Sequence, residues 1–145
     1  VNIRTILCPV NFSEVAREAL ENACALADAL EAQLIVANVV ERGERVPAQV
    51  EDRFHAWVDP LVRARTTYES VVVTGDPAQR VLEIADQTRA DLIVLGAQHE
   101  FFSDATVIGT TTERVTRFAR QPVLTIVRHA AGQKEVRPEA LVTIA

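Results

Sequence analysis

Apolar residues along this chain alternate between two periods. Consecutive runs mark strands: Ile3-Arg4-Thr5-Ile6-Leu7-Cys8 ending at Pro9, then Leu34-Ile35-Val36-Ala37-Asn38-Val39-Val40. Between them Ala16, Ala19, Leu20, Ala23, Ala27 and Leu30 recur at helical spacing. They predict an amphipathic helix over 13–31, with Ser13 as its N-cap and Glu14 in its first turn. Glu41 to Arg45 is a charged loop. Val50, Phe54, Trp57, Val58 and Leu61 fall on one face of a second helix, where Trp57 reads as a core anchor.

The same alternation continues. Tyr68 to Thr74 reads as a third strand, followed by the turn Gly75-Asp76-Pro77. Asp76 can cap the next helix and Pro77 suits its first position. Val81, Leu82 and Ala85 form the inner face of that helix, which ends near Arg89. A strand at 92–96, a long loop at 97–108, a helix at 109–119 and a strand at 123–127 complete the order β-α-β-α-β-α-β-α-β. The expected fold class is therefore α/β, an open five-stranded parallel sheet with helices on both faces. Near-continuous apolar strands fit it, because both faces of such a sheet are covered. The domain is taken as residues 1–128 and the C-terminal tail as 129–145, where Leu141-Val142-Thr143-Ile144 can add a strand or pack on a partner.

Open α/β sheets bind ligands at the carboxyl ends of the strands, where the strand order reverses. Two loops carry suitable chemistry: Pro9 to Ser13 and Gly96 to Thr112. The second joins a buried strand to the helix start Gly109-Thr110-Thr111-Thr112. A helix N-terminus presents unpaired N–H groups and partial positive charge, and glycine lets a ligand approach the backbone. Two readings stay open at Gly109-Thr110: a phosphate cradle with hydroxyls from Thr110 and Thr111, or an ordinary helix cap.

Composition narrows the classes. At 145 residues, 48% hydrophobic and 24% charged, the chain suits one soluble globular domain. No apolar run approaches the ~18 residues of a membrane span, and Val1-Asn2-Ile3-Arg4 has no signal-peptide pattern. A cytoplasmic protein is expected. The net charge of −5 speaks against nucleic acid or an anionic membrane as partner. Cys8 and Cys24 form no CxxC and read as buried free thiols, a redox pair being the alternative. Lys134 is the only lysine, so no G-x-x-x-x-G-K phosphate loop exists, and the five glycines form no G-x-G-x-x-G. His55, His99 and His129 lack metal-ligand spacing, and nothing draws Ser13, His99 and Asp104 into a catalytic set. Enzymatic turnover is not expected beyond slow ATP hydrolysis.

Several segments together resemble the universal stress protein family. They are Ile6-Leu7-Cys8-Pro9-Val10-Asn11-Phe12-Ser13-Glu14, Gly75-Asp76-Pro77, Asp91-Leu92-Ile93-Val94-Leu95-Gly96, Gly109-Thr110 with Glu113-Arg114-Val115, and Gln121-Pro122-Val123-Leu124. The likeness runs from residue 3 to 128. It implies the sheet order 3-2-1-4-5, with the reversal between strands 1 and 4. It also implies a homodimer through antiparallel pairing of the last strands, here 123–127, and an apolar edge strand needs such a cover.

ATP-binding members of that family carry G-x2-G-x9-G-[ST] after the fourth strand. Here Gly96, Gly109 and Thr110 keep the spacing, and His99 stands at the middle glycine. Their first-loop Asp and the hydrophobic residue ending strand 2 correspond to Asn11 and Val39. The resemblance thus assigns an adenine-nucleotide site to Pro9, Val10, Asn11, Val39, Gly96, His99, Gly109, Thr110 and Thr111. His99 could block the phosphate path, donate to a phosphate oxygen, or be an exposed loop residue. Glu100 and Asp104 add negative charge, so a triphosphate would call for a bridging divalent ion such as Mg²⁺. Phe101-Phe102 could serve as a lid, a dimer contact or core. The implied function is a regulatory module that binds ATP or AMP and signals through its dimer to a protein partner. The alternative is a dimeric stress-response interaction protein that binds no nucleotide. A small enzyme on a related fold has no positive signal.

Overall fold

The computed structural model describes residues 2–41, 48–62, 67–98, 100–102, 105–107, 110–128 and 142–144. Among them the strands are β1 (Thr5–Pro9), β2 (Gln33–Val40), β3 (Tyr68–Thr74), β4 (Leu92–Gln98), β5 (Glu100–Phe102), β6 (Ala105–Val107), β7 (Val123–Arg128) and β8 (Val142–Ile144). The helices are α1 (Glu14–Leu30), α2 (Ala48–Val62), α3 (Pro77–Gln87) and α4 (Thr110–Phe118). Five strands run parallel in the order β3-β2-β1-β4-β7, as the sequence reading expects.

Side chains on each strand alternate between the two faces of the sheet. Ile6, Cys8, Leu34, Val36 and Val94 pack with Leu20, Phe54 and Val58 of α1 and α2. Leu7, Ile35, Ala37, Ile93 and Leu95 pack on the other face with Val81, Ile84 and Val115 of α3 and α4. The anchor of α2 is Phe54, fully buried, whereas Trp57 is half-buried at the rim of that core. Helix starts follow the expected chemistry. The Ser13 side chain accepts from the Ala16 amide, and the Asp76 side chain accepts from the Gln79 amide with Pro77 beside it.

Two segments differ from expectation. The stretch 97–108 is not a plain loop: β4 runs on to Gln98, and β5 pairs with β6 as an antiparallel hairpin. Phe101, Phe102, Thr106 and Val107 are strand-forming residue types, which outweigh the loop reading. In the tail, β8 pairs antiparallel with β7, matching Leu124 to Ile144 and Ile126 to Val142. The chain thereby covers the outer edge of its own β7. Dimer pairing along 123–127 would compete for that edge.

The arrangement that positions a site is the parting of β1 and β4. They pair only at Ile6↔Leu92 and Leu7↔Ile93, while β4 continues five residues further to Gln98. Their carboxyl ends separate, and the N-terminus of α1 enters beside the gap. A Cβ on Gly96 would lie 2.6 Å from the Val15 carbonyl oxygen and 2.8 Å from its carbon. Glycine is required here because the α1 backbone occupies the space a side chain would need.

Candidate functional site

A cavity of about 380 Å³ opens over this parting. It runs from Val39 and Glu41 at the end of β2, across Pro9, Val10, Asn11 and Ser13 after β1, to Leu95, Gly96 and Ala97 in β4. Thr110, Thr111 and Thr112 at the start of α4 close the far end, and Pro77 and Val81 of α3 line one side. Its size falls in the range of small-molecule sites. Two strand spacings separate the β2 end from the β4 end, roughly 10 Å.

The β1–α1 end is held by internal hydrogen bonds. Asn11 Oδ1 accepts from the Ser13 amide at 3.2 Å and from Ser13 Oγ at 2.6 Å. Ser13 Oγ in turn accepts from the Ala16 amide at 3.1 Å. Ser13 is thus engaged in the turn and as the helix cap. What Asn11 retains is its Nδ2 group, a donor, where an aspartate could only accept. Val10 donates its amide to the Ala37 carbonyl at 2.8 Å and accepts from Nδ2 of buried Asn38 at 2.8 Å.

Between Asn11 and Ser13, Phe12 adopts a left-handed backbone with φ 65°. That conformation is costly for a residue bearing a Cβ and persists only where packing holds it. Here Trp57 meets the Phe12 ring edge-on at 5.5 Å, and the Arg53 guanidinium lies 4.6 Å from the ring centroid. Helix α2, remote from the cavity in sequence, therefore fixes the turn that carries Asn11.

The α4 end is built differently. Thr112 is buried and donates from Oγ1 to the Gly96 carbonyl at 3.2 Å, tying the helix start to β4. Thr110 is exposed and Thr111 half-exposed at the cavity wall. The first amides of a helix have no intrahelical partner, and they carry roughly half a unit of positive charge. Arg114, one turn further on, is held by Asp76 at 2.9 and 3.0 Å, linking α4 to the cap of α3.

The cavity thus gathers Pro9, Val10, Asn11, Val39, Gly96, Thr110 and Thr111 of the expected set. His99 and Gly109 lie outside the described residues, as does Asp104; the side chains of Glu100, Phe101 and Phe102 are likewise not described. The wall also holds residues outside the expected set, among them Glu41, Val81 and Thr112. Thr112 was legible as the third member of the threonine run, whereas Glu41 was assigned to a loop with no link to the site. The remaining chemistry lies elsewhere. His55 Nδ1 sits 2.9 Å from the Tyr68 hydroxyl, which donates to Asp59 on the outer side of α2 and β3. Burial and the Asp59 carboxylate push the Tyr68 hydroxyl well above its ordinary range. Cys8 and Cys24 are buried and form no disulfide, and burial, then Cys24, pushes Cys8 well above its ordinary range. Such a thiol is inert.

With this geometry in view, the comparisons are decisive for family. The model of the universal stress protein family matches residues 2–128. The chain belongs to the universal stress protein family. A universal stress protein of Synechocystis is 27% identical over 136 residues, covering 87% of each chain. The fold is that of a universal stress protein of Methanocaldococcus jannaschii, with a TM-score of 0.77 at 21% identity, over 90% of this chain and all of that one. It is also that of a universal stress protein solved in complex with cAMP, at a TM-score of 0.68 and 22% identity over 87% and 98% of the two chains. A member from Archaeoglobus fulgidus solved in complex with dAMP gives 0.67 and 19% over 86% and 98%. Among the described residues, no helix is long and apolar enough to cross a membrane.

Proposed function

We propose that this chain is a regulatory module that binds an adenine nucleotide in the cavity between β2, β1, β4 and α4. The observation that carries this reading is the cavity's place. It lies where the sheet order reverses between β1 and β4, with the α4 N-terminus at one end. Relatives of this fold held cAMP and dAMP, which supports an adenine nucleotide as the class of ligand. The phosphate belongs at Thr110–Thr112 and Gly96. The nucleoside lies along Asn11 and Val39, with Asn11 Nδ2 donating to a ring nitrogen or ribose oxygen. Val39, Val81 and Leu95 supply apolar surface for the base. No step of turnover is assigned to the site.

The signal would pass through a homodimer. Pairing of β7 with a second copy requires β8 to leave the edge it covers or to exchange between copies. Bound phosphate at the start of α4 would alter the surface that a protein partner meets there.

Calorimetric titration with AMP, and with ATP in the presence of Mg²⁺, tests the reading. Binding at micromolar strength is expected for at least one of them. No heat at a hundredfold higher concentration would leave the alternative, a dimeric stress-response interaction protein without a nucleotide.

A further inference from the structure

The charges around the cavity narrow its ligand, and this inference rests on the nucleotide reading above. Among the described residues lining it there is no lysine, arginine or histidine, and there is one carboxylate, Glu41. The cation nearest in sequence to the threonine run, Arg114, is held by Asp76. The chain's single lysine is Lys134, and the stretch 97–109 contains no lysine or arginine. The positive potential in the described wall is therefore the α4 N-terminus, a partial charge suited to one phosphate. A triphosphate would bring two further negative groups with no fixed cation to meet them, and the penalty is larger in a site partly shielded from water.

Glu41 follows β2 directly and lines the end of the cavity opposite Thr110–Thr112. A carboxylate accepts hydrogen bonds and donates none when ionised, so its natural partners in a nucleotide are the ribose hydroxyls. The roughly 10 Å from the β2 end to the β4 end matches a nucleoside with one phosphate laid along the strand termini. We infer that this site selects a nucleoside monophosphate over a triphosphate, with Glu41 as the residue that reads the ribose.

The test uses the full chain and titrates AMP, 2′-deoxy-AMP, and ATP with and without Mg²⁺, against the native protein and Glu41→Gln. AMP is expected to bind at least about tenfold tighter than free ATP, and Mg²⁺ to narrow the gap by neutralising phosphate charge. Glu41→Gln should reduce the preference for AMP over its 2′-deoxy form about threefold. ATP binding as tightly as AMP, or a preference for AMP over 2′-deoxy-AMP unmoved by Glu41→Gln, would overturn the inference while leaving nucleotide binding in place. Failure of every nucleotide to bind would remove the nucleotide reading itself and this inference with it.

Discussion

The two ends of the cavity are made from the same kinds of residue and put to opposite uses. At the β1–α1 end, Asn11, Ser13, Val10 and Asn38 direct their polar groups at one another, and Phe12 is pinned by α2. At the α4 end, one threonine, Thr112, is engaged in fixing the helix to Gly96, while Thr110 and Thr111 face the cavity beside unpaired helix amides. The first end is scaffold with a single donor left over. The second keeps its donors turned to the cavity, and on the proposed reading they receive an anion. A short polar side chain is thus no guide to function until its partners are known.

Substitutions should separate the ends, and the largest effect belongs to the scaffold. Gly96→Ala places a Cβ against the α1 backbone at Val15, which cannot rotate away as a side chain could. A loss of about 2–3 kcal/mol is expected in urea unfolding, from overpacking a site with no room to relax. Next, Asn38→Ala leaves the Val10 carbonyl without its buried donor, costing about 1–3 kcal/mol in the same measurement. Trp57→Ala withdraws the ring that holds Phe12 at positive φ; about 1–2 kcal/mol of stability should go with it, less than for a fully buried tryptophan. Nucleotide affinity should fall as well, although Trp57 does not line the cavity. Smallest in stability is Thr111→Val, expected to stay within about 0.5 kcal/mol of the native protein. The same variant should weaken AMP about tenfold, since a hydrogen bond to a charged phosphate is lost. A Thr111→Val protein that unfolds early yet binds normally would reverse the assignment of the two ends.

Much of this was legible in the chain. Strand and helix periods fixed the β/α order because the central strands β1, β2 and β4 are buried on both faces and each helix on one. Ser13 and Asp76 announced helix starts by their capping chemistry. Two kinds of information were not. Gly96 looked like a glycine left bare for a ligand, and its spacing fits that use, but the α1 backbone at Val15 claims the space. Close approach between two elements is a tertiary fact that no local pattern encodes. Phe12 gave no sign of positive φ, because the strain is supported by Arg53 and Trp57 some forty residues away. Likewise Glu41 sits after β2 in sequence and becomes a wall residue only because β2 lies beside β1. The tail strand was read correctly as able to pair, and the structure adds that it pairs with β7 of its own chain.

On the proposed reading an adenine nucleotide spans the cavity with its phosphate at the start of α4. The most direct measurement is a titration of the ¹⁵N-labelled protein with AMP, followed through backbone amide resonances. The account predicts saturable shifts at Asn11, Ala97 and Thr110–Thr112, with Asp91 at the opposite end of the sheet unmoved. Saturable shifts clustered away from these residues, or none at millimolar AMP, would contradict it.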